Sequence, residues 1–156
     1  MAITDARPSA HPIVEPGTVV VAESGQGRFG QWLLDGRHRL TADEPLAAGG
    51  EDAGPGPYEL LLMSLGACTA MTLRLYAERK GWPLARVIVR LRHARIHAED
   101  CAKCDTAPAL LDRIERTIEL EGTLDATQRA RLMEIADKCP VHRTLTSNIV
   151  IATRAA

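Results

Sequence analysis

The run Tyr58–Lys80 (YELLLMSLGACTAMTLRLYAERK) constrains the fold more than any other part of this chain. It is built from strong helix formers, and Gly81 and Pro83 follow as a stop signal. Pro57 suits the first turn of a helix, and Glu59 sits near its positive end. The first four turns are apolar on nearly every face, and a helix without a polar face must be buried all round. The chain has 156 residues, 46% hydrophobic and 25% charged, so one domain is expected, with little material to surround such a helix. The simplest resolution is a homodimer with the helix at its centre. The longest uncharged stretch, residues 60–73, spans 14 residues, short of the roughly 20 that a membrane helix needs, so no membrane partner is expected.

The remaining pattern is short strands and one further helix. Residues 1–17 carry Pro8, Pro12, Pro16 and Gly17 without periodicity and read as an arm, leaving 18–156 as the domain. Residues 18–22 (TVVVA), 29–35 and 37–41 read as three strands of an antiparallel meander, with a turn at Ser24–Gly27. Residues 43–57 hold four Gly and three Pro, a long loop of the kind that often carries function. Residues 86–98 and 113–121 alternate. Val87, Val89 and Leu91 oppose Arg90 and Arg92, while Ile114, Ile118 and Leu120 oppose Glu115, Glu119 and Glu121. Placed side by side, the Arg-rich and Glu-rich faces give cross-strand charge pairs, and the basic run from Arg86 to Arg95 is a solvated strand face. Residues 125–138 read as a second helix with Asp125 and Gln128 as a capping box. Residues 145–153 (LTSNIVIAT) read as a last strand. The whole is an α+β pattern.

Several function classes are excluded by composition. A net charge of −1 and 3% aromatic residues give neither a general attraction to nucleic acid nor a stacking surface for bases. The first residues lack the basic start and apolar stretch of a signal peptide, so a soluble, cytoplasmic protein is expected. Four Cys are too sparse for a secreted disulfide scaffold; in a reducing compartment they point to chemistry or metal binding.

Cys68 lies midway along the apolar helix, with Ser64, Leu65, Met71 and Thr72 three and four positions away. An isolated Cys there is by default a small buried hydrophobe. A reactive thiolate would require a positive charge from elsewhere in the fold. Cys139, in Lys138-Cys139-Pro140-Val141-His142, follows the second helix, whose negative end should oppose ionisation. That suits a thiol responding to an oxidised partner, and a core Cys is the bland alternative. His93, His97, Cys101 and Cys104 have the look of a zinc site. On a strand, however, the two His lie roughly 13 Å apart, which leaves at most His97, Cys101 and Cys104 as ligands. A thiol pair without metal carries more weight. Arg28, set between glycines, is by default an exposed turn residue.

The stretches Gly56-Pro57-Tyr58-Glu59-Leu60-Leu61, Leu65-Gly66-Ala67-Cys68-Thr69 and Ala136-Asp137-Lys138-Cys139-Pro140-Val141-His142, with the Gly-Arg turn at Arg28, resemble the OsmC family, which includes the organic hydroperoxide resistance proteins. The resemblance covers the chain after about residue 18. It implies an intertwined homodimer with long central helices wrapped by curved antiparallel sheets. It also implies a thiol peroxidase without a cofactor, acting on a small-molecule peroxide and recycled by an external dithiol. Cys68 would attack, Cys139 resolve, and Arg28 supply the cation. The family's peroxidases place a Glu ten residues before the first Cys; that position here is Tyr58, so the neighbouring Glu59 is the candidate. The Cys101/Cys104 pair lies outside the family pattern and suggests a distinct subgroup. Two other readings stand beside this one: a zinc-binding or redox-sensing module built on His97, Cys101 and Cys104, and, ranked last, acyl transfer by Cys68 or Cys139 with His142.

Overall fold

A computed structural model describes residues 12–97 and 110–155, with the side chains of 96, 97 and 110 excepted. The chain divides into two compact units, one ending at Leu60 and the other beginning at Leu61.

In the first unit, β1 (Val20–Glu23), β2 (Gln31–Leu34) and β3 (Arg39–Ala42) form an antiparallel meander in the order β1-β2-β3, as the β-branched runs predict. The long loop after β3 contains one turn of 3-10 helix at Leu46–Ala48. It is organised by Asp43, only 3% exposed, whose carboxylate accepts from the backbone N–H groups of Glu44, Glu51 and Ala53 at 2.8, 2.9 and 3.3 Å. Burial works against the charge, but these three donors outweigh it and hold the carboxyl below the usual range. A depressed folded value means that Asp43 contributes stability above its unfolded value, near about 4, and that this contribution is lost as pH falls through the folded value. Asp43→Asn is therefore expected to flatten the acid limb of the thermal-stability profile below about pH 4, as followed by circular dichroism. An unchanged acid limb would show that the loop does not depend on this carboxylate.

The second unit contains α1 (Pro57–Lys80, beginning in the first), β4 (Leu84–His97), β5 (Leu110–Gly122), α2 (Ala126–Ala136) and α3 (Pro140–Leu145). β4 and β5 pair antiparallel, with Leu91 opposite Arg116 and Arg92 opposite Glu115. The expected charge pairs form: Arg90 with Glu119 at 2.8 Å and Arg92 with Glu115 at 2.9 Å. Both are exposed and contribute a few tenths of a kcal/mol each at most. Asp125 and Gln128 form the predicted capping box at the start of α2. The core joins Leu73 and Ala77 of α1, Leu84 of β4, and Leu132, Ile135 and Ala136 of α2. Gly66 lets α1 approach β4 closely, since a Cβ there would lie 2.9 Å from Leu91 Cδ1.

By length and apolarity alone α1 also passes as a membrane span, with a mean hydropathy of 1.4. Two of its residues, Leu73 and Ala77, are fully buried in the core, and Arg74, Glu78, Arg79 and Lys80 occupy its last turns. It is a core helix on one side. Its other side carries Leu61, Met63, Met71 and Leu75, all exposed in the single chain.

One element differs from expectation. Residues 145–153 are not a strand: α3 ends at Leu145, and no strand follows it among the described residues. Pro140 at the first helical position starts α3 instead. The β-branched tail that follows finds no ladder, and Val150 and Ile151 are 92% and 84% exposed. A strand requires a paired edge as well as propensity.

Candidate active site

The second unit brings Cys68 and Cys139 together. Cys139 is wholly buried, Cys68 half-buried, and both are free thiols. The Cys68 thiol is near enough to Cys139 to be one of the groups that favour its ionisation. α1 presents Cys68 and Thr69 on adjacent faces, while the loop after α2 delivers Cys139. Thr72 does not serve the thiol: its hydroxyl donates to the Cys68 carbonyl at 2.7 Å.

The electrostatics of Cys139 differ from the sequence expectation. The negative end of α2 does not dominate, because Cys139 is the N-cap of α3, and the His142 backbone N–H donates to its sulfur at 3.3 Å. Burial pushes the thiol up. The His142 amide, the Cys68 thiol, the Thr69 hydroxyl and the Val141 amide outweigh burial and bring it below its ordinary value. Hydrogen bonds in this unit thus converge on the buried sulfur, while the other sulfur is the accessible one.

A cation stands beside the pair, and it was not among the candidates. Arg116 on β5 donates from Nη1 to Thr69 Oγ1 at 3.0 Å and to the Ala136 carbonyl at 3.3 Å, and from Nη2 to Asp137 at 2.6 Å. Its side chain is 13% exposed. A signal for it exists in the sequence. Arg116 has the same parity as Ile114, Ile118 and Leu120, and period two places it on the inward face of the strand. A charge on an apolar face asks for a partner.

The other candidates are placed as follows. Arg28 lies in the first unit, exposed, with its guanidinium over the Phe29 ring at 4.8 Å. Glu59 accepts from the Gly56 N–H at 2.7 Å and so caps the start of α1. His142 meets Cys139 through its backbone amide, and together with Leu65, Ile114, Arg116 and Leu145 it lines an open pocket of about 340 Å³. His93 pairs with Asp112 at 2.8 Å. The His97 side chain, Cys101 and Cys104 lie outside the described residues. Among the described residues no three His, Cys, Asp or Glu side chains are grouped to hold a metal.

The family model for OsmC-like proteins matches residues 49–154, which include both cysteines and all of the second unit but its last residues. The chain belongs to the OsmC-like family. Solved structures agree in fold. An osmotic stress induced and detoxification response protein of Psychrobacter arcticus superposes with a TM-score of 0.63 at 19% identity, covering 81% of this chain and 86% of its own. An OsmC-like protein of Mycoplasma pneumoniae gives 0.60 at 21% identity over 82% and 84% of the two chains. The organic hydroperoxide resistance protein OsmC of Legionella pneumophila gives 0.59 at 18% identity over 84% and 90%. No functionally curated protein matches the chain. The mixed α+β architecture of this OsmC-like protein, with its antiparallel sheets, is thus that of its structural neighbours.

Proposed function

We propose that this protein is a cysteine-based peroxidase that reduces organic hydroperoxides in oxidative stress defence. The reading rests on one observation above others: a half-buried thiol, Cys68, neighbours a wholly buried one, Cys139, and favours its ionisation. A peroxide reaches the first sulfur more readily than the second. The Cys68 sulfur attacks the outer oxygen of the O–O bond, which breaks. The inner oxygen leaves as alkoxide and takes the Cys68 proton, giving an alcohol and a sulfenic acid. The Cys139 thiolate then attacks the sulfenic sulfur. The disulfide forms, and the hydroxyl leaves and is protonated to water. An external dithiol returns both thiols by exchange and is itself oxidised to a disulfide. Arg28 and Glu59 keep the roles that the family resemblance assigns, as the cation of the reaction and its carboxylate partner. No cofactor enters. Dithiol-dependent consumption of cumene or tert-butyl hydroperoxide, with Cys68→Ser as the comparison, is the test.

The working unit in this proposal is a cytoplasmic homodimer. Leu61, Ser64, Cys68, Met71 and Leu75 follow each other at spacings of three and four and form one stripe of α1. Met71 and Leu75 are 70% and 49% exposed in the single chain, an apolar face with Cys68 in its middle. A second copy covering it would exclude water from the reacting sulfur. Met71→Asp is expected to move the protein from dimer to monomer in analytical ultracentrifugation and to reduce peroxide turnover with it. A wild-type protein that sediments as a monomer at all concentrations would remove this part of the proposal.

A further inference from the structure

We propose that Arg116 is a positioning residue that acts through Thr69 to aim a hydrogen bond at the sulfur of Cys139 and so favour its thiolate. The argument is one of hydrogen counting. Nη1 of Arg116 carries two hydrogens; one goes to Thr69 Oγ1 and the other to the Ala136 carbonyl. A guanidinium cannot accept, so Thr69 Oγ1 must be the acceptor in that contact. The single hydroxyl hydrogen of Thr69 then has two destinations, the Leu65 carbonyl at 2.8 Å and Cys139 Sγ at 3.8 Å. With a neutral thiol the carbonyl is the better acceptor. With a thiolate, a small rotation of the hydroxyl turns the hydrogen to sulfur, where it becomes a charge-assisted bond. Thr69 is wholly buried and the Arg116 side chain nearly so, so water competes weakly and the chain of donors polarises in one direction.

Arg116 also settles the end of α2. It occupies the Ala136 carbonyl at that helix's last residue and pairs with Asp137, which removes part of the negative potential that would otherwise face Cys139. Among the described residues, the titratable and charged groups on the elements around this sulfur include Cys68 on α1, Asp112 and Arg116 on β5, Asp137 and Lys138 after α2, and His142 on α3. Arg116 reaches it through a buried donor, the Thr69 hydroxyl.

This inference rests on the peroxidase reading for its catalytic meaning, in which a thiolate at Cys139 is what resolves the sulfenic acid. The test uses no peroxide and so fails or succeeds separately from that reading. In full-length protein carrying Cys68→Ser, Cys101→Ser and Cys104→Ser, Cys139 is the only thiol, and its ionisation is read from thiolate absorbance near 240 nm as pH is raised. Arg116→Gln is expected to move the midpoint upward by about one pH unit, the lower end of what a nearby opposite charge does. Thr69→Val, which keeps the shape and removes the hydroxyl, is expected to move it in the same direction. Thr69→Ser, which restores the hydroxyl, is expected to leave it in place. A purely structural role would lower the melting temperature of Arg116→Gln without moving the midpoint, and that result overturns the proposal. So does a midpoint that moves in Arg116→Gln but not in Thr69→Val, because the charge would then act without the hydroxyl. Should Arg116→Gln fail to fold, the Thr69→Val and Thr69→Ser pair decides alone.

Discussion

Cys68→Ser is expected to lose dithiol-dependent hydroperoxide reduction by at least about a thousandfold, to the level of the free dithiol, because the partner sulfur of the pair is too buried to take its place. Cys139 is wholly buried, and a serine hydroxyl does not reach the nucleophilicity of a thiolate at neutral pH. Cys139→Ser should fail differently. The first equivalent of peroxide is consumed at the wild-type rate, turnover then stops, and intact mass spectrometry shows Cys68 gaining one oxygen and then two, since the resolving sulfur is gone. The contrast between these variants is sharper than either loss alone. A metal-binding or sensing module would show no such ordered pair of failures, and a nucleophile paired with His142 for acyl transfer would not oxidise in steps. Arg28→Gln belongs in the same assay, with a large fall in the first oxidation step as the outcome that supports its assignment. Turnover retained in Cys68→Ser would sink the mechanism.

How far the fold could be read from the chain depended on whether local and long-range physics agreed. They agreed in α1, where uniform apolarity, Pro57 and Gly81 mark the same element that forms. They agreed in β4 and β5, whose alternation fixes which face is inward and whose opposite charges meet across the ladder. They disagreed after Pro140. Ile149, Val150 and Ile151 have the composition of a strand, but a strand is a property of two edges, and the partner edge is not written in those residues. The site was legible in part for the same reason. Cys68 and Cys139 are recognisable from their surroundings in sequence, whereas the field at Cys139 depends on α3 beginning there rather than α2 ending there. Arg116 does not stand out in the sequence because it sits in a strand rich in charges. Parity alone separates it from Glu115 and Glu119, which face solvent, and parity is informative only once the inward face is taken seriously as a place for a cation.

Leu73→Ala is expected to destabilise the protein by about 3–4 kcal/mol, as a fully buried Leu in a packed core does when it is truncated. The cost has two parts, the lost transfer of the removed carbons out of water and the cavity left among Leu84, Leu132 and Ile135, which belong to separate elements and cannot all close in. For a chain of this size the melting temperature should fall by roughly 10 °C. Met71 lies two residues away on the same helix, and in the single chain it is 70% exposed. If the chain were complete by itself, Met71→Ala would cost no more than about 0.5 kcal/mol. In the proposed homodimer its truncation instead carries a cost that changes with protein concentration, because the side chain is buried by association rather than by folding of one chain. The comparison therefore reads both faces of α1 in one experiment: thermal melts of Leu73→Ala and Met71→Ala across a hundredfold range of concentration. A large, concentration-dependent loss in Met71→Ala marks its stripe as the covered face. A small and constant loss leaves that stripe, and the Cys68 within it, open to solvent.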